Sequence, residues 1–232
     1  MPCCALQPCS GRGDKSVSKG RQQASAAYNG AVFEVILEVS ETMLTDSPPR
    51  KSNLAGFQES DWLTRLDLPD DECLPEIAKS IESAMKTEEI AGVRRACSEF
   101  LKAASQFYGV PECNVRVLAA RPLRTREQWT TELFGDYTPE TMVVRVWMRT
   151  AVRKEITSFG TFLSTFCHEF CHHLDYKKFG FADSWHTRGF YERAAVLYHH
   201  ARGTPQKRLF WVPMSDGRWR IDWVKTNRSA GV

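Results

Sequence analysis

The sequence predicts an α+β fold in which a small β-sheet packs on one dominant helix, with additional helices around it. Two observations carry this expectation. Apolar residues recur at helical spacing over 75–108 and, as a continuous stripe, over 158–176, whereas 113–119 and 141–151 carry β-branched runs that suit strands. The chain of 232 residues is long enough to bury a real core, and its apolar share of 42% and charged share of 25% exclude wholesale disorder and coiled coil. A net charge of +3 is too small to announce a nucleic-acid or membrane partner. No stretch approaches the roughly 18 apolar residues a membrane span needs, so no membrane association is expected.

Three regions follow along the chain. Residues 1–55 read as a poorly ordered extension: 1–30 are rich in Ser, Gly, Gln and Lys, an isolated apolar run covers 31–39, and Ser47-Pro48-Pro49-Arg50 breaks any element. Met43 offers an alternative start within it. No apolar segment follows a basic start directly, so no secretory signal is expected and the cytoplasm is the expected compartment. The eight cysteines are scattered and read as reduced thiols; Cys3, Cys4 and Cys9 lack a second pair to close a metal site. Residues 56–205 are expected to form the domain, and 206–232 a basic, Trp-rich hairpin or tail.

Within the domain, Ile77, Ile81, Met85, Val93, Cys97, Leu101 and Phe107 predict two helices, or one bent helix, broken near Thr87. Gly109-Val110-Pro111 then turns the chain into a strand around Val115, Val117 and Ala119. A stronger strand over 141–151 is announced by a turn at Gly135-Asp136. The clearest helix, 158–176, buries Phe159, Phe162, Leu163, Phe166, Phe170 and Leu174, with Thr157 or Ser158 to cap it and Gly180 to end it. A further helix over 187–201 shows Phe190, Ala194, Leu197 and Ala201 on one face and stops at Gly203-Thr204-Pro205. Finally, 209–213 and 218–224 flank Ser215-Asp216-Gly217 as a hairpin.

The chemistry lies in the histidines. All six (His168, His172, His173, His186, His199, His200) fall within 33 consecutive residues. His168-Glu169-Phe170-Cys171-His172 matches H-E-x-x-H on the best helix. Four residues are about 400° of helix rotation, so His168 and His172 share a face and can bind one metal ion. Glu169 is offset by about 100°, beside the metal rather than on it, where a carboxylate can take a proton from water.

A catalytic zinc needs a third protein ligand. His186 is the leading candidate; Glu192 and Asp183 remain alternatives. His173 reads as a packing residue or a support to a ligand, and His199 and His200 suit the end of their helix. Cys167 and Cys171 read as small buried residues, Asp175 as a group that could orient an imidazole, and Tyr191 or Arg188 as donors to a developing oxyanion.

These residues resemble the zincin metallopeptidases, and more closely the SprT-like group. H-E-x-x-H stands on a helix, and a third histidine is followed four residues later by Phe in His186-Thr187-Arg188-Gly189-Phe190. The resemblance covers about residues 75–205. It implies a zincin-like fold, one catalytic Zn2+ held by His168, His172 and His186, Glu169 as general base and acid, and a protein or peptide substrate. It also implies that the strand before the helix, here 141–151, is a sheet edge that pairs with an extended peptide. Many members continue into a cysteine-rich zinc ribbon, whereas no cysteine follows Cys171 here. A second reading is a non-catalytic zinc-containing binding or regulatory module. Residues 177–232 hold 11 Lys and Arg against 4 Asp and Glu, interleaved with Phe210, Trp211, Trp219 and Trp223, a combination that also suits nucleic acid.

Overall fold

The computed structural model describes residues 43–50, 53–126 and 129–229. Of the extension expected over 1–55, residues 1–42 and 51–52 lie outside the described residues. The fold is mixed α+β, with six α-helices among the described residues: α1 (Leu54–Trp62), α2 (Cys73–Lys86), α3 (Ile90–Tyr108), α4 (Phe159–Leu174), α5 (Arg188–Arg202) and α6 (Trp223–Arg228). None of them is long and apolar enough to cross a membrane.

The expected helical region 75–108 is two helices, α2 and α3, parted where Glu88 takes a positive φ of 57°. The main sheet has the order β1-β5-β4, from β1 (Asn114–Ala120), β4 (Gly135–Thr138) and β5 (Val143–Arg149). β5 runs parallel to β1 and antiparallel to β4. The strand before α4, read from the resemblance as a sheet edge, is therefore the centre of the sheet. Gly135-Asp136, read as a turn, opens the true edge strand instead. A separate hairpin, β2 (Leu123–Arg126) with β3 (Trp129–Glu132), joins β1 to that edge.

Helix α4 starts where the sequence expects. Ser158 Oγ accepts from Thr161 N at 3.1 Å, satisfying one of the free amides of the first turn. Phe162, Leu163, Phe166, Phe170 and Leu174 are buried, and Phe166 meets Phe100 of α3 edge to face at 5.4 Å. The helix then widens into a π turn, Asp175–Phe179, before Gly180 ends it at φ 73°. α5 is capped by Thr187, whose Oγ1 accepts from Phe190 N at 3.1 Å, and is closed by Gly203.

The C-terminal segment is continuous with this body. β6 (Trp211–Pro213) and β7 (Trp219–Ile221) form the expected hairpin, and Leu209 and Ile221 are buried in the common core. The second strand is shorter than expected over 218–224, because Asp222 caps a new helix, α6, by accepting from Lys225 N at 3.0 Å. Residues 44–46, placed by sequence in the extension, lie along β7: Leu44 bridges Arg220, and Thr45 N donates to Trp219 O at 2.9 Å.

Helix α1 has no apolar stripe, since only Phe57 and Ser60 are buried within it, and so it left no periodic signal. It docks through its backbone. A Cβ on Gly189 would stand 2.1 Å from Ser60 O and 2.7 Å from Leu63 O, a contact only glycine permits. Gly189→Ala is therefore expected to force α1 off α5 and to destabilise the fold by about 2–3 kcal/mol or more, in the range of other overpacking changes, read as a fall in Tm.

Candidate metal centre

Histidines four apart on a straight helix share a face, and α4 is regular from His168 to His172. His172 Nε2 lies 3.2 Å from His168 Nε2. His186, on the loop between the π turn and α5, brings its own Nε2 to 3.1 Å from His168 Nε2. All three nitrogens lie within 4.8 Å of one another, close enough to hold one metal ion. A tetrahedral zinc with Zn–N bonds near 2.0–2.1 Å requires nitrogens about 3.3–3.4 Å apart, so the spacing suits such an ion.

The remaining ring nitrogens fix which atom faces the centre. Ser184 Oγ donates its single proton to Asp175 Oδ2 at 3.1 Å, so its 2.8 Å contact with His172 Nδ1 is one in which the imidazole donates. His172 Nε2 is thereby left as a bare lone pair. Asp46 Oδ2 stands 3.5 Å from His186 Nδ1, a carboxylate facing the nitrogen that points away from the centre. Burial and the neighbouring imidazoles hold His168 well below the usual histidine range, and the same causes push His172 down to about 3. Neutral imidazole is the form that binds a metal. Phe190 lies beneath all three rings, 4.5–5.2 Å away between centroids.

Glu169 is not among the converging ligand atoms. It is 6% exposed and lies under the sheet edge, where a Cβ on Gly135 would come within 2.9 Å of its Cγ and Oε1. Burial, then the negative charge of Asp136, pushes its carboxyl up to about 8. Asp136 is itself held by Arg145 through two 2.6 Å hydrogen bonds. A divalent cation beside Glu169 would oppose both effects and favour the carboxylate.

Neither alternative third ligand joins the centre. Glu192 Oε1 accepts from Trp211 Nε1 at 3.0 Å, and Asp183 Oδ2 accepts from Asn53 Nδ2 at 2.7 Å. Asp175 supports His172 through Ser184 rather than directly, and its other oxygen accepts from buried Arg193 at 2.8 Å. His173 is fully buried and pins the sheet edge to α4: Nε2 donates to Pro111 O and Nδ1 accepts from Tyr137 Oη, both at 2.8 Å.

Cys167 and Cys171 are buried, and burial pushes both thiols up, away from the reactive thiolate. Arg188 pairs with Asp61 and covers Trp219, while Tyr191 Oη donates to Leu44 O at 3.2 Å. Both side chains read as oxyanion donors thus have other partners. His199 and His200 close α5, with His199 Nδ1 2.9 Å from Thr204 Oγ1. Of the C-terminal aromatic residues, Phe210 lies beneath Arg208 and Lys225, and Trp211 packs on Tyr191.

No family model, curated protein or solved structure matches this chain. The site is therefore read from its own geometry.

Sequence reasoning missed Asp46, Ser184 and Arg193. Asp46 reaches His186 across 140 residues, a separation that leaves no local signal. The geometry predicts one bound divalent ion per wild-type chain by metal analysis. His186→Ala should lose it, whereas Glu192→Ala and Asp183→Ala should retain it.

Proposed function

We propose that the protein is a zinc-dependent metallopeptidase that hydrolyses peptide bonds in a protein or peptide substrate. One observation carries the reading: three imidazole nitrogens converge within 4.8 Å of one another, and the residue next to His168 is a buried glutamate that lies against an open sheet edge. The H-E-x-x-H and His186-Thr187-Arg188-Gly189-Phe190 motifs, which resemble those of SprT-like zincins, support it. His168, His172 and His186 would hold the ion. When bound, zinc supplies Lewis acidity, polarising a carbonyl and acidifying water.

The chain's own residues supply the rest. Among the described residues no strand pairs with the outer edge of β4, so an extended peptide can add there by main-chain hydrogen bonds. That edge lies against Glu169 at Gly135, so a peptide added there would run close to the carboxylate. Glu169 then takes the proton of the attacking water and passes it to the departing amine nitrogen. Beside His168 lies a largely apolar cavity, lined in part by Met43, Ala194, Ala195, Leu209 and Ile221. It favours chains with apolar side chains available, as in unfolded proteins.

Glu169→Gln is expected to keep its zinc and to lose cleavage of an unfolded protein by a factor of about 10²–10⁴, the usual worth of a general base. Full activity in that variant would overturn the reading. Gly135→Ala places a methyl group against Thr165 and Glu169; with zinc content unchanged, turnover should fall by up to about 10²-fold, as for an ångström-scale misplacement.

A further inference from the structure

Two of the three ligands stand on one rigid helix, and the third does not. His186 lies on the irregular loop that follows Gly180, where the backbone alone leaves an imidazole free to turn. What fixes it comes from far away in sequence. Asp46 Oδ2 accepts from His186 N at 2.9 Å, and Asp46 N donates to His186 O at 2.9 Å, so Asp46 holds both backbone groups of His186. The same Oδ2 stands 3.5 Å from His186 Nδ1. A carboxylate at that nitrogen favours the tautomer whose Nε2 lone pair points into the centre.

Asp46 is itself anchored. Leu44 bridges Arg220 and accepts from Tyr191 Oη, Thr45 N donates to Trp219 O, and Trp219 N donates back to Thr45 Oγ1 at 2.9 Å. The segment thus bridges β7 of the C-terminal hairpin and delivers one carboxylate to His186. Its charge is also the right one, since an anion behind a ligand imidazole raises its basicity towards a cation.

We propose that Asp46 is a positioning residue of the metal centre, with residues 44–46 and the C-terminal hairpin acting together as the brace of the third ligand. This rests on the reading of His168, His172 and His186 as a metal site. The site would then depend on both ends of the described chain, although all three ligands lie within 19 residues of sequence.

The test uses the full chain and Zn2+ itself. Zinc affinity is measured by competition with a chromophoric chelator for wild type, Asp46→Asn and Asp46→Ala, and each is melted with EDTA and with excess zinc. Asp46→Asn preserves shape and an acceptor for His186 N while removing the charge. Both variants should bind zinc about 10–100-fold more weakly than wild type, the usual cost of losing such a partner, and should melt with EDTA as wild type does. Asp183→Asn, on the same loop but facing Asn53, should bind as wild type.

Zinc affinity within twofold of wild type in both Asp46 variants overturns the proposal. So does a fall in Tm that is equal with EDTA and with zinc, because Asp46 would then hold only the fold. Wild type that takes up no zinc overturns the metal site itself, a result distinct from failure of Asp46 alone.

Discussion

The buried ion pair between Asp175 and Arg193 is the interaction on which the centre depends. Their side chains are 0% and 1% exposed, and two charges removed from water so completely persist only when their hydrogen-bonding capacity is met. Here nearly all of it is. Arg193 reaches Asp175, the carbonyls of Ser60 and Leu63, and Ser60 Oγ, with the rings of Phe179 and Phe181 flanking its guanidinium. Asp175 takes Ser184 on its other oxygen, and Ser184 takes His172. One charge pair therefore joins α1, the π turn and α5, and its last hydrogen bond orients the imidazole of His172, one of the three that converge. The π turn serves this directly, because buried Asp175 opens it just after the helix that carries His168 and His172.

Two glycines mark where backbone must approach closely for this arrangement to close. Gly189 lets the carbonyl end of α1 sit on α5, which brings Ser60 and Leu63 to Arg193 and Ser60 Oγ within 2.9 Å of the capping Thr187. Gly135 lets the edge strand lie against Glu169 and Thr165. Neither takes a positive φ, so neither serves a turn. Both are glycine because a side chain would occupy the space of a neighbour.

How much of this was legible depends on the range of the interaction. The pair His168 and His172, the offset of Glu169, the apolar side of α4, the cap at Ser158 and the stops at Gly180 and Gly203 are local, and helix geometry and capping preferences forecast them. His186 was legible as a ligand type but not against Glu192 or Asp183, because the choice rests on where a loop returns in space. Helix α1 and strand β4 left no periodic trace. The first docks through carbonyls, and the second is four residues long with each of them only partly buried. Asp46 lies in a stretch whose Pro-Pro breaker and polar surroundings speak for an extension, and only its long-range contact with His186 gives it a role.

That division has a physical consequence for the site. The two histidines of α4 are held by the helix that also forms the centre of the hydrophobic core, so their geometry lasts as long as the core does. The third is held by hydrogen bonds between segments 140 residues apart rather than by a helix of its own. A metal ion binding all three would tie the loop and residues 44–46 to α4. Its binding free energy would then appear in part as stability of the loop around His186 and of residues 44–46. Metal occupancy and the order of residues 44–46 would then be coupled, because each contributes to the other through His186.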